Sequence, residues 1–177
     1  GARWSARADR RAALRVGWAG LGVVGVDGLP GLREGLAPGG LWSSPTPCGG
    51  GTRFAPPHPA DRAVEWAYHR HMDRKPGGDS RAGSHALSRL QGRGDATVLD
   101  VAGSDWAVRP VDGGYPGTER VLVDHVLDTV ESAVGEITGP GFAETFAEWL
   151  SARREQAANG QLMYTTHQLD LLGRVQG

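Results

Sequence analysis

Clusters of glycine and proline cut this chain into short periodic blocks, and those breaks constrain its fold more than any single motif. Glycine makes up 28 of 177 residues, against an average usage of about 7%. Breaks fall at Pro38-Gly39-Gly40, at Pro45, Pro47 and Gly49-Gly50-Gly51, at Pro76-Gly77-Gly78, at Gly92 to Gly94, at Asp112-Gly113-Gly114 and at Asn159-Gly160. Glycine weakens a helix or strand interior by its conformational freedom, and proline by its missing N–H. Helices and strands must form in the blocks between them, joined by turns.

The hydrophobic period assigns those blocks. Ser5 to Arg15, rich in Arg and Ala, reads as a solvated helix or a frayed terminus. Gly22-Val23-Val24-Gly25-Val26 reads as a strand, and Leu29 to Leu36 as a helix with positions 29, 32 and 36 on one face. Leu41-Trp42 starts a second strand that Pro45 and Pro47 break, leaving loop up to Pro59. With Pro59 at the first helical position, Val64, Ala67, Tyr68, His71 and Met72 recur at helical spacing and predict an amphipathic helix. Asp79 or Ser80 caps a further helix that runs to Leu90. Ala96 to Ala102 is a strand that Gly103 to Pro110 continues after a bend. Two long helices follow. In Thr118 to Ile137, Leu122, Val126 and Val130 form one stripe with Val123, Leu127 and Val134 beside it, and Phe142 to Ala158 gathers Phe142, Phe146, Trp149, Leu150 and Arg153. Leu162 to Thr166 is the last strand. Alternating strands and helices predict an α/β fold: a mostly parallel sheet with helices on its faces, one domain over residues 1–177, with residues 1–18 fraying.

Composition removes several function classes. Lys and Arg number 19 against 20 Asp and Glu, so no general electrostatic grip on nucleic acid is expected. Cys48 is the single cysteine, which forbids an internal disulfide and points to a reducing compartment. No stretch reaches the run of about 20 apolar residues that a spanning helix needs, and no signal-peptide order opens the chain, so a cytoplasmic location with no membrane partner is expected. The chain begins at Gly1, which suggests a fragment of something longer.

Histidine supplies the obvious chemistry. His69 and His71 sit two apart on a predicted helix, about 200° around its axis, and cannot face one metal ion, so no metal site is expected. His71 falls on the apolar face as a core histidine. His69 shares a polar stripe with Asp61 and Glu65, which suits either a general base or a solvated surface. His58, in Pro56-Pro57-His58-Pro59, is held by a stiff loop just before a helix N-terminus, a placement that suits a substrate site or a plain turn. Asp105 and Trp106 end a strand, where ligands bind in open α/β sheets, although Trp106 could equally plug the core and Asp105 cap a turn. His167 and Asp170 follow the last strand as site groups or loop residues. No Gly-x-Ser-x-Gly elbow or phosphate-binding Gly-Lys-Ser/Thr loop occurs, and no Gly-x-Gly-x-x-Gly follows a predicted strand.

Several pieces taken in order resemble the second half of a group of class I S-adenosylmethionine-dependent methyltransferases. They are Leu32 to Gly40, Gly50 to Asp61 with its Pro57-His58-Pro59-Ala60-Asp61, His69-Arg70-His71, Arg81 to Ala86, Ser104-Asp105-Trp106, Trp149, Arg153, Gly160 and the closing His167-Gln168-Leu169-Asp170-Leu171-Leu172. The resemblance covers roughly residues 20 to 175. It implies a partial Rossmann-like methyltransferase sheet in which Gly22 to Val26, Leu41-Trp42, Ala96 to Ala102 and Leu162 to Thr166 are the fourth to seventh strands.

The same resemblance implies S-adenosylmethionine as cofactor and a small-molecule methyl acceptor as partner. His58, His69, Asp105 and His167 are then the catalytic candidates, with Asp61 and Trp106 on the substrate. The family's glycine-rich cofactor loop and ribose-holding acid have no counterpart in these residues; Val98 to Ser104 matches that loop superficially but lacks its glycine pair. Cofactor-binding residues are therefore unassigned. A second class stays open, a non-catalytic interaction module whose exposed sheet edge pairs with another copy. A hydrolase using His and Asp without an elbow is the third.

Overall fold

A computed structural model of the chain describes residues 11–15, 36–47, 51–76, 78–91 and 94–176. In chain order the elements are β1 (Arg11–Arg15), β2 (Leu36–Pro47), β3 (Arg53–Ala55), α1 (Asp61–Arg74), α2 (Ala82–Gln91), β4 (Ala96–Val108), α3 (Glu119–Gly135), α4 (Pro140–Ala158) and β5 (Met163–Val175). The strand expected at Gly22 to Val26 lies outside the described residues, as does the helix before Leu36.

The architecture is α/β, but the sheet is not mostly parallel. Its order is β1-β2-β5-β3, with β4 also on β5. The β1–β2 pairing is parallel, whereas β5 runs antiparallel to β2 and to β3. Along β4 and β5, the Gln176 N–H bonds to Asp95 O at one end and His167 meets Asp105 at the other, so these two strands also run in opposite senses. Helix count explains the correction. One helix between strands returns the chain to the starting end and yields a parallel neighbour. Here two helices intervene between β4 and β5: Arg120 on α3 reaches Ala157 on α4, while Arg154 on α4 reaches Asp128 and Glu131. That antiparallel hairpin brings the chain back to the end it left, and β5 must run backwards.

Three local expectations are also corrected. Residues 11–15 are a strand, because pairing with β2 outweighs the small helix preference of Arg and Ala. Pro38-Gly39-Gly40, expected to be a break, is an irregularity inside β2, where the register jumps between Arg11↔Leu36 and Ala13↔Leu41 and Gly39 adopts φ 81°. Pro45 and Pro47 do not break β2, which pairs them with Asp170 and Gln168. The two prolines share one parity, so both missing N–H groups fall on the same edge of the strand. At the next element, α1 starts at Asp61 rather than Pro59.

The chain divides into two compact units. The first holds β1, β2, α2, β4 up to Ser104 and β5 from Gln168. Its core joins Leu36, Trp42, Ala86, Leu90, Leu171 and Val175. Trp42 and Gly173 are direct cross-strand partners, and the indole fills the space that a side chain at Gly173 would need.

The second unit holds β3, α1, α3, α4, the end of β4 and the start of β5. Val64, Ala67, Val123, Leu127, Val130, Val134, Phe146, Trp149, Leu162 and Tyr164 form its core. On α3 the buried face is Val123, Leu127, Val130 and Val134, whereas Leu122 is exposed. The apolar arc of this helix is wide, and packing against α1 and α4 selects which half of it is covered. Among the described residues no helix is long and apolar enough to cross a membrane.

Candidate functional site

The second unit contains two polar constellations. The first is built on β3, the loop before α1, and α4. Prolines at 56, 57 and 59 stiffen that loop. Its turn closes by reciprocal bonds, Asp61 N–H to His58 O at 3.0 Å and His58 N–H to Asp61 Oδ2 at 2.8 Å. His58 Nδ1 accepts from the Ala60 N–H at 3.2 Å, which fixes the imidazole as a cap and leaves only Nε2 for other work.

Asp61 Oδ1 accepts from Trp149 Nε1 at 2.7 Å and from Arg153 Nη2 at 2.5 Å. Arg153 is fully buried, and its Nη1 donates to Pro56 O and Gln156 Oε1, both at 2.7 Å. Its guanidinium lies 5.6 Å from the Phe54 ring centroid and 5.8 Å from that of Trp149. Burial pushes the Asp61 carboxyl up, but the bonds from Trp149, Arg153 and the His58 N–H, with the Arg153 charge, outweigh it and hold the group below its ordinary value.

A cavity of about 390 Å³ opens beside this cluster. Phe54, Tyr68 and Trp149 supply aromatic walls, Val64 and Val130 aliphatic ones, and Thr52, Asp61 and Glu65 polar ones. Burial, and then the neighbouring Tyr164, push the Tyr68 phenol up; no hydrogen bond offsets this. Tyr164 is likewise raised by burial, against bonds with Thr166 and Thr52.

The second constellation is a pair. His167 Nδ1 lies 2.6 Å from Asp105 Oδ1 across 62 residues, with both side chains open to solvent. Both residues sit inside strands, His167 within β5 rather than after it and Asp105 three residues before the end of β4. A carboxylate on Nδ1 orients the ring and leaves Nε2 facing outward as a proton acceptor. Gly51 packs against His167, which, like Asp105, is not among the residues that wall the cavity. A Cβ there would lie 2.6 Å from His167 Cβ and 2.7 Å from His167 N, so only glycine allows this approach, and the next residue, Thr52, is a cavity wall.

Asp105 and His167 are thus brought together, and His58 and Asp61 meet in the other cluster. Asp61 is spent on Arg153 and Trp149 rather than free for a ligand. His69 joins neither group; it is half-buried beside Tyr68, and no described bond links it to Asp61. Trp106 neither plugs the core nor walls the cavity, being 58% exposed. His71 is buried on the apolar face as its spacing predicts, with Nδ1 3.5 Å from Glu136. Arg153 carried no role in the sequence, yet a signal was present: an arginine four residues after Trp149 on an apolar stripe must find a buried partner.

The cavity does not fit S-adenosylmethionine. Of its two wall carboxylates Asp61 has both oxygens engaged, which leaves Glu65 alone against Arg53 and Arg62 on the walls, with Arg153 behind them, to meet a sulfonium cation. Compared with known proteins, the chain matches no family model and no curated sequence.

Proposed function

We propose that this chain forms the acceptor side of an S-adenosylmethionine-dependent methyltransferase acting in the cytoplasm on a small molecule. The His167–Asp105 pair carries the reading: an oriented imidazole with one free nitrogen takes a proton from the acceptor as that atom becomes a nucleophile. Two further supports are the ordered resemblance of the chain and the aromatic-walled cavity in the same unit. The chain's own residues orient the acceptor, exclude water from its apolar body and receive its proton at His167 Nε2.

The test is transfer of labelled methyl from S-adenosylmethionine to a panel of small phenols, amines and carboxylates, with His167→Ala alongside the parent chain. Incorporation that falls by about 10² to 10⁴ in the variant supports the proposal. Incorporation unaffected by His167→Ala, or none by a folded chain, overturns it.

A second reading, an interaction module, is favoured by β4. This strand pairs with β5 alone among the described residues, and Leu99, Val101 and Trp106 along it are exposed. It calls for a second copy on that edge. A dimer in sedimentation that Trp106→Lys dissolves would support it, and a monomer at high concentration would end it.

A further inference from the structure

We infer that the cavity beside α1 takes a small, flat, neutral aromatic molecule bearing a hydroxyl group; this rests on the proposed function only in naming that molecule the acceptor. Charge decides between the candidates. Aromatic walls beside carboxylates ordinarily suit a cation, yet here the protein's own Arg153 already lies over the Phe54 and Trp149 rings and is paired with Asp61. An added cation would meet Arg153 from behind and Arg53 and Arg62 on the walls.

An anion fares no better. Asp61 is held ionised and Glu65 adds a second carboxylate, so with Arg53 and Arg62 the walls carry two charges of each sign; Arg153 already has Asp61 as its counter-charge, and only its buried Nε lacks a hydrogen-bond partner.

A neutral ring meets neither penalty. Phe54 stands edge-on to Trp149 with centroids 5.6 Å apart and tilts against Tyr164 at the same separation, an arrangement that leaves ring surface for a flat guest. Val64 and Val130 close the apolar side. Polar demand is narrow: Glu65 offers an acceptor, and the Tyr68 hydroxyl is not committed to the protein in the way that Tyr164 is to Thr52 and Thr166. A hydroxyl on the guest satisfies both, whereas a plain hydrocarbon would leave them unpaired.

The experiment titrates the full chain with 2-naphthol, 2-naphthoate and benzyltrimethylammonium by calorimetry at neutral pH, and repeats the 2-naphthol titration with Tyr68→Phe and Glu65→Gln. We expect 2-naphthol to bind at least tenfold more tightly than either ion, and each variant to weaken it about three- to tenfold. Tighter binding of either ion, no 2-naphthol binding by a folded chain, or binding indifferent to both variants would overturn the inference. Labelled S-adenosylmethionine added to the same samples separates the two proposals. Naphthol binding without methyl transfer keeps the ligand class and counts against the methyltransferase. Methyl transfer to phenols that ignores both cavity variants does the reverse.

Discussion

Arg153 and Asp61, 92 residues apart in the chain, form an ion pair at 2.5 Å in which the guanidinium is fully buried and the carboxylate is only partly so. The asymmetry predicts unequal losses. Asp61→Asn strands a buried cation and should cost about 3 to 5 kcal/mol, the range for removing one partner of a buried pair. Arg153→Met leaves a carboxylate that still accepts from Trp149 and the His58 N–H and reaches solvent, so the loss should be smaller. Urea unfolding of both variants checks the order, and a larger loss for Arg153→Met would contradict it.

Asp61 also sets an acid limb. Its folded-state value lies below the ordinary carboxylate value of 3.8, so the native state favours the ionised form. Stability from this group is complete above that ordinary value and is lost as pH falls through the lower folded one. Unfolding midpoints measured between neutral pH and pH 2 should therefore drop at the acid end in the parent chain, and Asp61→Asn should flatten that drop.

In the first unit, Gly173→Ala should destabilise severely. The new Cβ would overlap the six-membered ring of Trp42, which is buried and cannot swing aside without emptying the core around Leu90 and Leu171. Overpacking typically costs about 1 to 3 kcal/mol, and this site belongs at the upper end. A double variant, Gly173→Ala with Trp42→Leu, should recover part of the loss in thermal unfolding, because the smaller side chain removes the clash.

Function and fold separate at the exposed pair. Asp105→Asn removes the carboxylate from an exposed hydrogen-bonded contact with His167 and should change stability by less than about 1 kcal/mol. Gly51→Ala, by contrast, forces a Cβ against the backbone of β5 and should both destabilise the chain and displace the His167 ring. Histidine ring shifts in two-dimensional NMR, read beside unfolding midpoints, distinguish these outcomes: ring shifts with normal stability for Asp105→Asn, and both changes for Gly51→Ala.

Periodicity located α1, α3 and α4, because each carries a local apolar stripe that needs no knowledge of its partner, and capping and turn residues placed α2. It also put His71 on a buried face and Arg153 beside Trp149 and Phe146. His58, Asp61, Asp105 and His167 were visible as chemically able residues in stiff or strand-end settings. Pairing lay beyond reach of the sequence. Whether β5 runs with or against β2 depends on how the α3–α4 hairpin returns the chain, and β1 is a strand only because β2 lies beside it. Likewise Asp61 became an anchor rather than a ligand group when α4 brought Arg153 to it, and His167 met Asp105 because the strands are antiparallel in that register. Local stripes are fixed by side chains a few residues apart, whereas register, strand sense and the partners of a charge are settled by contacts tens of residues away, where burying the whole core decides between alternatives that are locally equivalent.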